Sequence, residues 1–402
     1  MKIILILIAI VFSITTFSQS HRWRGTNQDG RYPDTNLLDI WPEEGLPLKA
    51  TYSGMGEGYG SPSIREDGIF IAGMHDSIGH VYKFSHEGGM LWKTEYGEDF
   101  TYKYRGSRGT PTLEENRLYY SGAEGDAICL NTETGKKIWH VNIFKKYGGS
   151  LMKWGYTESP LLYKNMVILT PGGPDVSMVA LDKMTGEAIW EMELEGGFNV
   201  YCTPQLIEHN NETMAMVNLS NYLLIFDPEN GAIKYKHDIT HRRNNHTMEP
   251  MYIEGKVLHT AGYGIGSTFY QINEKTKGMD TIWYSADFDC KMSGMMRIDD
   301  LIYGTADRKK TWNAINWKTG EIAFSTRDIK PGSMIMADGK FYIFTDTGEI
   351  VLAKPNPLGF EVISSFNSPA APAKMSFSHP VIYNGDLFVR YDDNLWRYSL
   401  KK

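Results

Sequence analysis

Leu181-Asp182-Lys183-Met184-Thr185-Gly186-Glu187-Ala188-Ile189-Trp190 is a β-hairpin spelled out in residue types. An apolar residue ends one strand. Asp182 opens the turn by accepting hydrogen bonds from the backbone just ahead of it, and Gly186 takes the positive-φ position that reverses the chain. Trp190 then stands on the returning strand with a large face to bury. Asn131 to Trp139 repeats the pattern around Thr134-Gly135. Gly89 to Trp92, Asp227 to Tyr235 and Asn316 to Phe324 are looser copies, and Asn273 to Trp283 is a longer one.

A second signature lies between these turns. A small or polar residue followed by Pro or an apolar residue occurs at Ser61-Pro62, Thr110-Pro111, Ser159-Pro160, Thr203-Pro204, Glu249-Pro250, Gly294-Met295, Ser333-Met334 and His379-Pro380. The spacing of roughly 39 to 49 residues is the period of a four-stranded propeller blade. Pro is tolerated where a strand opens because no ladder hydrogen bond is lost there. Alternating segments such as 68–73, 117–122 and 339–344 supply second strands. The expected fold is all-β: an eight-bladed β-propeller of four-stranded antiparallel blades, with seven blades the alternative count. Too few residues follow Pro380 for a whole blade, so the stretch around Leu46 to Tyr52 is expected to supply the missing outer strand, closing the ring and removing both sheet edges.

Composition agrees. Aromatic residues make up 13% of the 402, with 40 Gly and only 22% charged residues, a balance that favours short strands and glycine turns. The net charge of -7 offers no basic field for nucleic acid. Cys129, Cys202 and Cys290 are few, odd in number and far apart, so they imply buried core residues and no disulfide framework. Residues 1–18 read as a signal peptide: Lys2, an apolar run from Ile3 to Phe12, then small residues at Thr16 and Ser18. That run is too short to span a bilayer. The expectation is a single propeller domain, 19–402, monomeric, periplasmic or secreted, with no transmembrane segment in the mature chain and no lipid-bearing Cys near the cut.

These residues resemble the PQQ-like (quinoprotein-like) propeller repeat, whose outer-strand motif runs Ala-x-Asp-x-x-Thr-Gly-x-x-x-Trp; Ala180 to Trp190 matches it almost throughout, and the likeness extends from Trp23-Arg24-Gly25 to the C-terminus. The family includes bacterial proteins labelled polyvinyl-alcohol dehydrogenase-like, dehydrogenases that carry the quinone PQQ, and non-enzymatic members such as the propeller subunit of the outer-membrane barrel assembly machine. The resemblance therefore specifies fold and leaves function open.

Sites in propellers draw on loops that precede the innermost strands. Here those loops carry Tyr59, Arg105, Arg108, Trp154, Tyr156, Glu158, Tyr201, His246, Glu249, Lys291, Lys330 and His379. If the resemblance extends to PQQ and Ca²⁺, Trp154 and Tyr156 would stack on the flat tricarboxylate, and Arg105, Arg108 and Lys291 would pair with its carboxylates. Glu158 and Asp289 would then be the metal ligand or catalytic base. Tyr201, His246 and His379 complete the ligand-binding candidates. The same residues equally make a hydrogen-bonded network that locks blades together and plugs the channel. Three features weigh against an enzyme: no vicinal Cys pair, a chain too short for the large insertions of alcohol dehydrogenases, and no Cys-x-x-Cys-His haem motif. His237, His241 and His246 read as a solvated connecting loop and Gly262-Tyr263-Gly264-Ile265-Gly266 as a glycine turn, with no metal site assigned. The function expected is a non-catalytic cell-envelope platform docking an envelope protein or binding a small molecule or glycan; the alternative is a PQQ-dependent oxidoreductase acting on an alcohol or sugar.

Overall fold

The computed structural model describes residues 21–149, 151–369 and 375–402. The expected leader lies outside them. Eight four-stranded antiparallel sheets follow one another as the blades of a propeller. We number them I (63–98), II (112–142), III (161–192), IV (205–238), V (251–285), VI (296–326), VII (332–367) and VIII (381–399). Blade VIII takes its outer strand from Leu48–Tyr52, which pairs antiparallel with Asn394–Ser399. The ring thus closes where the sequence placed the closure. Among the described residues the only helix is Ile143–Tyr147, capped by the Asn142 side chain.

The hairpin motif does more than turn the chain. Asp182 Oδ1 accepts the amides of Met184 (2.8 Å) and Thr185 (3.0 Å), and Asn131 and Asn316 repeat the arrangement. The aromatic that follows then reaches into the next blade. Trp92, Trp139, Trp190 and Trp283 each donate the indole N–H to a carbonyl in the turn of the neighbouring blade, namely Thr132, Lys183, Pro228 and Trp317, at 2.9–3.1 Å. The turn glycine of that neighbour lies flat against the same ring. A Cβ on Gly135, Gly186, Gly231 or Gly320 would come within 2.7–2.8 Å of Trp92, Trp139, Trp190 or Trp283. Turn glycine and tryptophan are therefore two halves of one joint between successive blades, and the glycine is required for close approach as well as for its φ. Apolar clusters formed by residues from adjacent blades fill the space between, for example Trp190, Leu161 and Ile168 of blade III with Leu224 and Phe226 of blade IV.

The second signature is a joint at the inner rim. Its small polar residues form a relay from blade to blade. The amide of Ser61 donates to Thr110 Oγ1 (3.1 Å), that of Thr110 to Ser159 Oγ (3.0 Å), that of Ser159 to Thr203 Oγ1 (3.0 Å), and that of Thr203 to Glu249 Oε1 (3.3 Å). Ser61 Oγ donates to the His379 carbonyl (2.8 Å), sealing the last blade to the first. Buried amides must be paired, and here each is paired by the residue one blade ahead. Each Pro sits immediately before its strand. Blade VI has Met295 in place of the Pro, and in blade VII the inner strand, Gly332–Ala337, opens directly after Pro331, one residue ahead of the expected Ser333.

Candidate functional site

The central channel is occupied by the chain's own N-terminal segment. His21 bridges to Leu113 of blade II, and Tyr32 and Gly30 pair with Met336 of blade VII. Between these points the segment turns back on itself: Gln28 Nε2 donates to the Pro204 carbonyl (3.3 Å), and Arg24 Nη2 donates to the carbonyls of Asp29 and Met295 (both 3.0 Å). Arg24 is buried, and Gly294 leaves its guanidinium room that a Cβ would fill. Residues 21–32 therefore touch blades II, IV, VI and VII and form a plug with Trp23 on its inward side.

Above the plug, where the inner strands begin, lies a chamber of about 270 Å³. Trp23 packs edge-on to His379 at its base (centroids 5.3 Å apart). Tyr59, Tyr104, Trp154, Tyr201, Tyr263 and Phe377 make its aromatic wall. Glu249 is the one carboxylate in the lining and also borders a second cavity, of about 390 Å³, on the far side of the plug. Burial pushes the Glu249 carboxyl up to about 7, against the opposing pull of its own amide, the Arg24 charge and the Thr203 amide.

Of the ten candidates, Arg108, Trp154, Tyr201, Lys291 and His379 line this chamber. Arg108 donates to the carbonyls of Gly106 (2.9 Å), Tyr104 (2.7 Å) and Trp154 and lies over the rings of Phe100 (4.2 Å) and Tyr59 (5.8 Å). Lys291 sits 4.1 Å above the Tyr263 ring and 3.8 Å from Asp307. His379 is buried, and burial with the nearby Arg24 charge holds its imidazole neutral.

The other five stand elsewhere. Arg105 is exposed and paired with Glu57 (3.1 Å). Tyr156 and Glu158 are fully buried in the seam between blades II and III, where Tyr156 donates to Glu158 Oε2 (2.6 Å). His246 shares a hydrogen bond with His259 (3.0 Å) beneath the 240–247 loop, and burial lowers its pKa to about 3. Asp289 is buried and accepts the amides of Gly264 (2.9 Å) and Arg308 (3.0 Å), tying two loops together. Trp23, Tyr104, Tyr263 and Phe377 join the wall without having been singled out from the sequence. Trp23 arrives on the plug and Phe377 on the connection into blade VIII, positions that no repeat spacing marks.

Residues 77–326 of the 402 match the PQQ-like propeller family described as outer membrane protein assembly factor BamB. The chain belongs to this BamB-type family. Among solved structures it is similar to BamB from Moraxella catarrhalis (TM-score 0.61, 14% identity, covering 88% of this chain and 99% of that one). It is similar also to the quinohemoprotein alcohol dehydrogenase of Comamonas testosteroni (TM-score 0.68, 14% identity, 94% and 79%). In sequence it is 20% identical to the quinoprotein alcohol dehydrogenase PedH of Pseudomonas putida over 270 residues, 65% of this chain and 40% of that one. It is 29% identical to the Comamonas enzyme over 133 residues, 31% of this chain and 18% of the enzyme. The BamB-type chain thus spans less than half the length of the curated relatives it matches.

The quinoprotein likeness raises PQQ with Ca²⁺. The chamber does not fit that pair. Ca²⁺ takes six to eight oxygen ligands, usually several of them carboxylates, whereas the lining offers one carboxylate that is already bound into the inner-rim relay. Among the described residues no three His, Cys, Asp or Glu side chains form a metal-holding group. The Arg108 guanidinium, needed to clamp a ligand carboxylate, is committed to main-chain carbonyls.

Proposed function

We propose that this BamB-type chain is a non-catalytic propeller of the cell envelope, a docking or ligand-binding platform. The observation that carries the reading is the plug: residues 21–32 cross the channel and leave above them an aromatic chamber whose single carboxylate is part of the blade-to-blade relay. Apolar side chains exposed on the same face, Tyr102, Tyr104, Leu151, Phe198 and Met375, suit contact with another molecule. The family's description as an outer membrane protein assembly factor supports an envelope role. The same reading takes 1–18 as a signal peptide and 19–402 as one monomeric propeller domain, exported to the periplasm or beyond. No helix among the described residues is long and apolar enough to cross a membrane.

The test is reconstitution. Purified protein incubated with PQQ and Ca²⁺ is expected to retain no stoichiometric chromophore and to reduce no dye across a panel of alcohols and sugars. Capture from envelope extracts is expected to recover a stoichiometric partner or ligand. A bound quinone that is lost in Trp154→Ala and Arg108→Ala, together with dye reduction, would overturn the platform in favour of a quinoprotein oxidoreductase.

A further inference from the structure

We infer that the chamber above the plug binds a neutral oligosaccharide. The inference rests on the platform reading and names its ligand class. Thr157 Oγ1 and Thr247 Oγ1 spend their protons on the carbonyls of Tyr201 (3.0 Å) and Lys291, so what remains on each is lone pairs. Asn245 gives its amide N–H to Tyr263 Oη (3.3 Å), while its Oδ1 is buried without a partner. Glu249 adds carboxylate oxygens at the base. The chamber thus sets spare acceptors beside the phenol hydroxyls of Tyr104 and Tyr263 and the indole N–H groups of Trp23 and Trp154. Its ligand should bring donors and acceptors together, and hydroxyl groups do both without charge.

The two charged alternatives fit less well. An anion offers no donor to the spare acceptors, and Arg108 and Lys291, the cations in the lining, are already engaged by carbonyls and by Asp307. A quaternary ammonium would need open aromatic faces. Arg108 and Lys291 lie over Tyr59 and Tyr263, so those faces already hold a positive charge. Nor is there a slot for a flat aromatic ring. Neighbouring wall rings are inclined to one another, Tyr59 to Phe377 by 38°, Tyr104 to Trp154 by 59° and Tyr104 to Phe377 by 73°. Such a bowl suits a puckered ring whose C–H faces pack on aromatics while its hydroxyls reach the acceptors at the edge. Tyr102 and Phe198 are exposed in the same inter-blade loops as Tyr104 and Tyr201, which favours a chain of sugars over a single one.

The experiment is calorimetric and tryptophan-fluorescence titration of the full mature chain with neutral gluco-, manno-, xylo- and chito-oligosaccharides. Polygalacturonate oligomers, PQQ, tetramethylammonium and an unstructured peptide serve as the other arms. Trp154→Ala and the exposed Tyr104→Ala are compared with wild type after circular dichroism has confirmed that both are folded. The expected result is saturable binding of at least one neutral oligosaccharide, weakened tenfold or more in each variant, with Trp154 fluorescence changing on binding. Failure of every neutral oligosaccharide to bind, tighter binding of an anionic, cationic or peptide arm, or unchanged affinity in both variants would overturn the inference. Those results would leave the platform reading intact. Oxidation of a bound sugar in the presence of PQQ would instead overturn the platform reading itself, so the two failures are distinguishable.

Discussion

Replacing Glu158 by Gln should remove a pH dependence of stability that the protein owes to one carboxyl. Glu158 is fully buried, with Tyr156 Oη and Thr170 Oγ1 donating to Oε2 and no partner for Oε1. Burial outweighs these hydrogen bonds and pushes the carboxyl from its ordinary 4.5 to about 8. Below pH 4.5 the folded and unfolded chains both carry the proton, and the contribution to stability is complete. As pH rises from 4.5 to 8 the unfolded chain ionises while the folded one keeps its proton, so stability falls. Above pH 8 the loss is complete. One pH unit of such a difference is worth about 1.4 kcal/mol, which makes the whole span on the order of 5 kcal/mol and the part between pH 5 and 7 about 3 kcal/mol. Gln in the same place leaves an amide group without an acceptor, a constant cost of about 1–3 kcal/mol. The assay is urea unfolding of both proteins at pH 5, 6, 7 and 8. Every other titrating group is common to the two, so the wild-type advantage should shrink by about 3 kcal/mol between pH 5 and 7. Parallel pH profiles would refute the assignment of a protonated, buried Glu158.

Trp190→Ala should lower the unfolding free energy by about 3–5 kcal/mol, since it empties a buried joint and orphans the Pro228 carbonyl; a thermal melt within a degree or two of wild type would contradict it. Gly186→Ala combines a φ of +75° with a Cβ 2.8 Å from the Trp139 ring and should cost about 1–3 kcal/mol; Gly339→Ala, with φ +71° but open space around it, should cost less in the same melt. The three cysteines are free and buried, and burial raises the Cys129 thiol to about 12 and those of Cys202 and Cys290 above the ordinary value. A thiol reagent at pH 8 should label none of them in the native protein and all three in urea.

The fold was legible because each blade needs the same two joints. Thr185-Gly186 with Trp190, and Ser159 with Pro160, recur at a fixed period because the contact they make recurs, and even the borrowed strand Leu48–Tyr52 followed from counting what blade VIII lacked. What could not be read was the second purpose of those residues. Gly186 is visible in sequence as a turn former, but its role as the bed for Trp139 requires the neighbouring blade. The site was legible only in part for the same reason. Arg108, Trp154, Tyr201, Lys291 and His379 stand in loops that precede inner strands, and the repeat places such loops around the channel. Whether a side chain in that loop faces the chamber or the seam beside it depends on one or two residues of phase. Tyr156 and Glu158 thus lie in the seam while Trp154 and Thr157 face the chamber. The plug belongs to no repeat, so Trp23 and Arg24 marked where the family likeness begins and not that they would enter the channel.

The strand that completes blade VIII has a consequence in time as well as in space. Tyr52 pairs with Leu395, so a strand synthesised early waits for one made seven blades later. Blades I to VII can assemble in the order in which they emerge, each on the one before. Until Asn394–Ser399 arrives, the ring has two raw edges, and an unpaired strand edge is where one chain adds to another. Removing Asn394–Ser399 from the finished protein would return it to that state, freeing Leu48–Tyr52 as well. That strand pair is therefore the latch of the whole ring.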